Sequence, residues 1–407
     1  MSQIDELIAE HCPDGVEQRA LGEVGEFIRG SGIQKKDLRA EGVPAVHYGQ
    51  IHTAYGIWTK ETISYVDPVF ATKLRHARPG DLLIATTSED DEAVGKATAW
   101  LGAEDVALSG DAYIYRHSLD SKYVAYFFSS EQFQTQKMRF ISGAKVRRLS
   151  GASLGKISIP VPPLAVQREI VEILDTFTEL EAELEAELKA RQRQFAHYLR
   201  LQMTFDHAVP QVALGELVEV RSGWGFPKVE QGCTEGTIPF YKVGDMNRLG
   251  NETTMRGANN YVSEKVAQKL GVKPAPAGTI IFPKIGAAVR TNKKRVLSIS
   301  AAYDNNVMGL IPKPALSSKF LYYWMQTFDL ARLANDSGAV PSIRKSEAEK
   351  VLVPMIPREE QEEIARVLDK FDALVNDLSS GLPAEIVARR KQYEYYRNRL
   401  LTFEEAN

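Results

Sequence analysis

Two stretches of this chain carry apolar residues at mostly three- and four-residue spacing with charged residues between them. In the first these are Ile170, Ile173, Phe177, Leu180, Leu184, Leu188, Phe195 and Tyr198. In the second they are Ile364, Val367, Phe371, Leu374, Leu378, Ile386, Tyr393, Tyr396 and Leu400. That period predicts two long amphipathic helices, each opened by Pro and a polar residue. About 40 residues of helix span ~60 Å, and so narrow a stripe over that length is the pattern of a coiled coil. The remaining sequence reads differently. Short β-branched and aromatic runs such as Gly278-Thr-Ile-Ile-Phe-Pro283 are punctuated by Gly and Pro, with helical patterns near 121–138 and 318–334. Each of these regions is predicted to be a mixed α/β module with a twisted sheet at its centre.

The two halves repeat each other. Ile159-Pro-Val-Pro-Pro-Leu-Ala-Val-Gln-Arg-Glu-Ile-Val-Glu-Ile-Leu-Asp-Thr-Phe177 recurs as Val353-Pro-Met-Ile-Pro-Arg-Glu-Glu-Gln-Glu-Glu-Ile-Ala-Arg-Val-Leu-Asp-Lys-Phe371 without a gap. Upstream, Leu21-Gly-Glu matches Leu214-Gly-Glu, and Ser142-Gly-Ala144 matches Ser337-Gly-Ala339. The predicted order is therefore module 1–158, helical spacer 159–205, module 206–352 and helical spacer 353–407. The duplicated helices are natural mates, and an antiparallel pairing returns the chain to its start, with a module at each end of a rod. The offset between copies is 194 residues at Asp175/Asp369 but 198 at Arg191/Arg389. Four extra residues thus enter the second helix around Ser379-Ser-Gly-Leu-Pro383, where Gly381 and Pro383 would end one helix and begin another.

Composition changes the picture only when divided. The 407 residues carry a net charge of -3, yet residues 206–352 hold 19 basic against 13 acidic side chains and residues 1–158 hold 18 against 21. A locally basic module can meet phosphate whatever the net charge of the chain. No run approaches the length of a membrane span, which predicts a cytosolic protein. Cys12 and Cys233 have no partners at metal spacing, so both are expected to be reduced structural thiols.

Catalytic chemistry finds little support. Asp67-Pro-Val-Phe70 is close to the Asp-Pro-Pro-Phe tetrapeptide of amino-group DNA methyltransferases, but Val69 replaces a Pro and no Gly-rich cofactor loop accompanies it. Glu187-Leu-Lys189 has nuclease-like spacing but sits in the helical pattern, where a solvated face is the simpler reading. No catalytic residue and no metal ligand is nominated. Basic clusters stand out instead. Lys284, Arg290, Lys293, Lys294 and Arg295 crowd one segment with Thr291 and Asn292, side chains suited to phosphates and base edges. Arg139, Lys145, Arg147 and Arg148 form a second cluster in the first module, near the acidic run Ser88-Glu-Asp-Asp-Glu92. The acidic run is read as a surface that avoids phosphate.

The Pro-x-x-Pro, Gln-x-Glu-Ile and Leu-Asp-x-Phe elements of the repeat resemble the conserved regions of type I restriction–modification specificity subunits. So do Ser380–Arg397 and Phe282-Pro-Lys-Ile-Gly286 with Asp304-Asn-Asn-Val-Met308. The resemblance spans essentially the whole chain. It implies two target-recognition domains, each reading one half of a split double-stranded DNA sequence, on an antiparallel pair of helices with a pseudo-two-fold internal repeat. It also implies docking of two modification subunits and of restriction subunits. S-adenosylmethionine, ATP and Mg²⁺ would belong to those partners, and this chain would need no cofactor of its own. The basic clusters are then the expected DNA contacts. Ile170, Phe177, Leu180, Leu184, Leu188, Ile364, Phe371, Leu374, Leu378, Tyr393 and Tyr396 are the expected helix-pairing and partner residues. A non-catalytic two-module scaffold would share the repeat without binding a defined duplex.

Overall fold

A computed structural model describes Glu6, Ile8 and residues 10–335, 340–376 and 381–406. Leu378, the Ser337-Gly-Ala339 match and Ser379–Ser380 lie outside the described residues. Five helices carry the scaffold: α1 (Ser121–Ser129), α2 (Leu164–Gln202), α3 (Ser318–Thr327), α4 (Arg358–Asn376) and α5 (Leu382–Leu400). The chain divides into two compact units, Met1–Ala182 with Ala388–Asn407, and Glu183–Val387. These units cut across the predicted spacers. Each takes its own module, the near part of the helical stretch that follows it and the far part of the other copy's.

The same sheet is built twice. In the first unit the strand order is Gly25–Arg29, Ala112–His117, Leu82–Ala85, Ala97–Trp100, Trp58–Thr59. In the second it is Val218–Ser222, Val307–Pro312, Ile280–Pro283, Arg295–Leu297, Thr254–Met255. Both sheets are antiparallel until the last strand, which joins in parallel. The central strand Leu82–Ala85 is buried on both faces. Leu82 and Ile84 enter the core beneath α1, while Leu83 and Ala85 enter a separate core with Val46 and Trp100, as the two-residue alternation of a strand requires. Ile280 and Phe282 repeat the first role and Ile281 the second. Gly30 and Gly223 also correspond: a Cβ on Gly30 would lie 2.1 Å from the Ser109 carbonyl oxygen and one on Gly223 2.0 Å from that of Asp304, so no other residue fits that crossing.

The repeated motif residues explain themselves where helix meets module. Gln167 is buried at the start of α2; its Oε1 accepts from the Asp120 amide at 2.8 Å and its Nε2 donates to the Pro162 carbonyl at 2.8 Å. Gln361 does the same in the second unit, accepting from the Ser317 amide at 2.7 Å and donating to the Ile356 carbonyl at 2.9 Å. Asp120 and Ser317 are the N-caps of α1 and α3, so one side chain ties the start of one helix to the start of another. Two turns further on, Asp175 accepts from Tyr126 at 2.8 Å and Lys122 at 2.5 Å. Asp369 accepts from Tyr323 at 2.7 Å and from Lys319.

Helix pairing is visible within each unit. In the first, Phe177 stacks on Tyr396 with ring centroids 5.3 Å apart, and Glu181 binds Arg390 at 2.5 Å. Rising residue number in α2 meets falling number in α5, so the pair is antiparallel. In the second, Phe371 meets Tyr198 at the same 5.3 Å. Phe177/Phe371 and Tyr198/Tyr396 are duplicate positions, so the two contacts are one contact made reciprocally. Leu184 is buried, and Leu180 and Leu188 are half-buried.

Three nominated helix-pairing residues take other roles. Ile170 is wholly buried in the first module's core, and Ile364 packs against the second module's core. Leu374 keeps 39% of its surface exposed. The buried face of α4 runs through Gln361, Ala365, Leu368 and Val375, one position beyond the stripe read from the sequence. Its polar members, Gln361 and the mostly enclosed Asp372, disguised that face. Gln361→Ala should cost about 1–3 kcal/mol, the penalty for leaving a buried amide and carbonyl unpaired. Urea unfolding measures it, and a loss below ~0.5 kcal/mol would show that water replaces the side chain.

Candidate nucleic-acid interface

The basic segment of the second unit begins as the central strand leaves the sheet. The Lys284 amide donates to the Asn306 carbonyl at 2.9 Å, while its carbonyl accepts from the Ile343 amide at 2.8 Å. The Gly286 amide donates to the Pro341 carbonyl at 2.8 Å. This backbone clamp joins two segments nearly sixty residues apart and sets Arg344 beside the loop. Gly286–Thr291 then winds as a 3-10 helix, ended by Asn292 in the left-handed conformation with φ 55°.

The nominated residues separate into two groups. Arg290 and Thr291 are exposed. Lys284 is half-buried, with its ammonium 3.1 Å from the Ser222 hydroxyl, and burial lowers its pKa against the pull of Asp304. Lys293 is half-buried and bonds the Asn247 side chain. The other three are structural, which corrects the expectation of DNA contact. Lys294 is fully buried; it donates to Asn292 Oδ1 at 2.7 Å and the Phe328 carbonyl at 2.6 Å, and burial pushes its pKa down to about 8. Asn292 Oδ1 also accepts from the Leu330 amide at 2.9 Å. Arg295 turns inward to the Lys294 and Met246 carbonyls at 2.9 and 3.3 Å, and burial lowers its pKa. The run reads as a loop in sequence, but Arg295 begins a strand of the main sheet, and that register directs its neighbours into the interior.

In the first unit the expected basic patch is offset by acid. Arg147–Arg148 pairs antiparallel with Thr87–Ser88, which brings the acidic run alongside. Arg147 forms an ion pair with Asp91 at 2.8 Å. Arg139, Lys145 and Arg148 are exposed. Lys137, unremarked in the sequence, is fully buried and donates to the Glu92 and Val94 carbonyls at 2.6 and 2.8 Å; burial pushes its pKa to about 8. It joins the loop after the central strand to the segment following α1. Lys294 makes the same join in the second unit from the opposite partner.

A positive cluster that sequence reasoning missed lies elsewhere in the first unit. Lys36, Arg39 and Lys73 line an open cavity of about 470 Å³ together with Asp37 and Asp67. The signal available was Lys35-Lys36 followed by Arg39. Asp67 accepts from the Val69 and Phe70 amides and from Arg39 at 2.9 Å, and those amide bonds hold its carboxyl below the usual range. The Asp-Pro-Val-Phe tetrapeptide is thus a capped helical turn. Glu187 pairs with Arg191 on the exposed face of α2. Cys12 and Cys233 are free thiols. Among the described residues no helix is long and apolar enough to cross a membrane.

The family model for the type I restriction modification DNA specificity domain matches twice, over residues 13–191 and 209–388. The chain belongs to that family. A type I restriction enzyme specificity subunit from Escherichia coli is 33% identical over 296 residues, covering 69% of this chain and 70% of that protein. A putative type I restriction enzyme specificity subunit from Haemophilus influenzae is 30% identical over 302 residues, covering 71% and 74%. The fold agrees with the crystal structure of a type I restriction–modification S subunit from M. genitalium, with a TM-score of 0.55 at 14% identity over 95% of this chain and 96% of that one. It also agrees with a chain from a study of complex assembly in the type I system, with a TM-score of 0.61 at 17% identity over 96% and 98%. Two specificity domains thus account for the doubled sheet and the doubled helix docking.

The depressed Lys294 pKa carries a signed expectation. Between about pH 8 and 10.5 the unfolded chain holds a proton at Lys294 that the folded chain has released, so this group's contribution to stability rises with pH. Wild type should therefore gain on Lys294→Met as pH is raised from 7.5 to 10 in urea unfolding. A constant difference would mean that the ammonium stays charged when folded.

Proposed function

We propose that this chain is the DNA sequence-specificity subunit of a type I restriction–modification complex, each unit reading one half of a bipartite double-stranded target. The observation that carries this reading is the double match to the specificity domain, supported by a sheet, a capping glutamine and an aromatic helix contact that are each made twice. Two similar readers in one chain suit a target in two parts. Arg290, Lys293 and Arg344 of the second unit, and Lys36, Arg39 and Lys73 of the first, are the side chains this reading assigns to phosphate or base edges. Two modification subunits dock on the helical surfaces, and restriction subunits complete the larger complex. S-adenosylmethionine, ATP and Mg²⁺ act on those partners, and this chain contributes recognition.

The electrostatic share is tested by salt dependence of DNA binding in the complex with modification subunits. Arg290→Ala should reduce the slope of log K against log salt by roughly one unit per lost phosphate contact, with no change in thermal stability. An unchanged slope removes Arg290 from the interface, and lost discrimination at one base pair with the slope intact marks base reading.

The helix offers a second test. Thr178-Glu-Leu-Glu, Ala182-Glu-Leu-Glu and Ala186-Glu-Leu-Lys189 are tandem tetrapeptides inside the unbroken α2, and the division between units falls within them. One added tetrapeptide lengthens the helix by about 6 Å, near two base-pair steps of ~3.4 Å. Methylome mapping of that variant should return both half-sites unchanged and a gap wider by one or two base pairs. An unchanged gap with full activity would separate spacing from the helix.

A further inference from the structure

The two units differ at one matched position. Trp58 pairs with Ala99, and Ala99 pairs with Leu82 of the central strand. Thr254 pairs with Val296, and Val296 with Ile280, the duplicate of Leu82. Thr254 therefore stands where the first unit has an indole. In the first unit Lys122 lies over the Trp58 ring, its nitrogen 4.3 Å from the centroid, while it binds Asp175. That pair keeps only 22% and 18% of its side-chain surface exposed. The duplicate pair, Lys319 and Asp369, has no ring above it and is 61% and 34% exposed. What replaces the indole is a cavity of about 450 Å³ between the edge strand, α3 and α4, with Thr254, Lys319, Tyr322 and Asp372 in its wall and Leu249, 79% exposed, in its lining.

We propose that this cavity is a socket for an aromatic side chain of a partner subunit, which takes under Lys319 the place that Trp58 takes under Lys122. A cation over a ring and a neighbouring tyrosine give such a ring cation–π and edge contacts. The wall also selects its polarity. Asp372 stands where the first unit has Thr178, and it accepts only from neutral groups among its hydrogen bonds, Thr253 at 3.0 Å and Asn376 at 2.8 Å. Its free lone pairs suit an N–H or O–H on the ring's edge, so tryptophan or tyrosine matches better than phenylalanine. Glu252, Asp369 and Asp372 outnumber Lys319 and Arg256 in the lining, which disfavours a nucleobase because its phosphate must accompany it. A buried aromatic anchor in a preformed pocket is the usual core of a protein interface. The partner half of this proposal rests on the function proposed above.

The test uses the full chain, free indole as probe, and T254W, which supplies the ring internally. Calorimetry should find one indole site in wild type, none in T254W and two in W58T, and T254W should melt no lower than wild type. The affinity of T254W for modification subunits should fall at least tenfold. Absence of indole binding by wild type, or its persistence in T254W, overturns the socket; should T254W not fold, a single site in W58T overturns it equally. Indole binding with unchanged subunit affinity overturns the partner's role. Loss of DNA affinity alone in T254W would assign the cavity to a base instead. Failure of wild type to bind modification subunits overturns the proposed function and the partner assignment with it, while the indole titration still decides the socket.

Discussion

In each unit the placement of the long helix on its module depends on one buried glutamine. Gln167 and Gln361 bridge the start of a long helix to the capped start of a module helix, and both ends of the amide are used. A buried amide side chain with matched donor and acceptor tolerates little displacement, because any shift leaves polar groups unpaired out of water. The aspartate two turns along, Asp175 or Asp369, then fixes the helix about its own axis by binding a lysine and a tyrosine from α1 or α3. Rotation and translation of the helix are thus both set by side chains of its own module. The recognition surface inherits that rigidity through the sheet on which α1 or α3 packs.

The loops beyond the central strands are held by charge turned inward. Lys137 and Lys294 each place an ammonium out of water and satisfy it with backbone or amide oxygens, which offsets much of the desolvation cost. A lysine so placed acts as a tie between loop and helix end and is lost to any ligand. The exposed cations beside it, Arg290 in particular, sit on a loop that the buried lysine ties to the segment after α3. Preorganised donors lose less entropy on binding than donors on a mobile loop.

Duplication did not leave the units equivalent. The loop after the central strand is acidic in the first unit and basic in the second, and the first unit's cation cluster lies instead around Lys36, Arg39 and Lys73. Trp58 closes the first unit where Thr254 leaves the second open. The residues that join helix to module were kept in both copies, while the surfaces diverged.

The repeat, the long helices, the antiparallel helix contacts and the family were legible in the sequence, because each rests on local periodicity or on identical residues at a fixed offset. Phe177 and Phe371 could be nominated as pairing residues for that reason. The start of α5 beside Gly381 and Pro383 was legible too, since both residues act on their own backbone. Burial was not. Lys294 and Arg295 look like any basic loop until the strand pairing of Arg295 with Ile281 turns that segment inward. The face of α4 was misjudged by one residue because Gln361 and Asp372 are polar and yet enclosed, and only the groups facing them show why. The meeting of Arg147 with Asp91, the clamp between Lys284 and Ile343, and the space above Lys319 all join residues distant in the chain. Periodicity reports which side of an element is apolar. What stands opposite that side is decided by chain crossings, and those exist only in the folded protein.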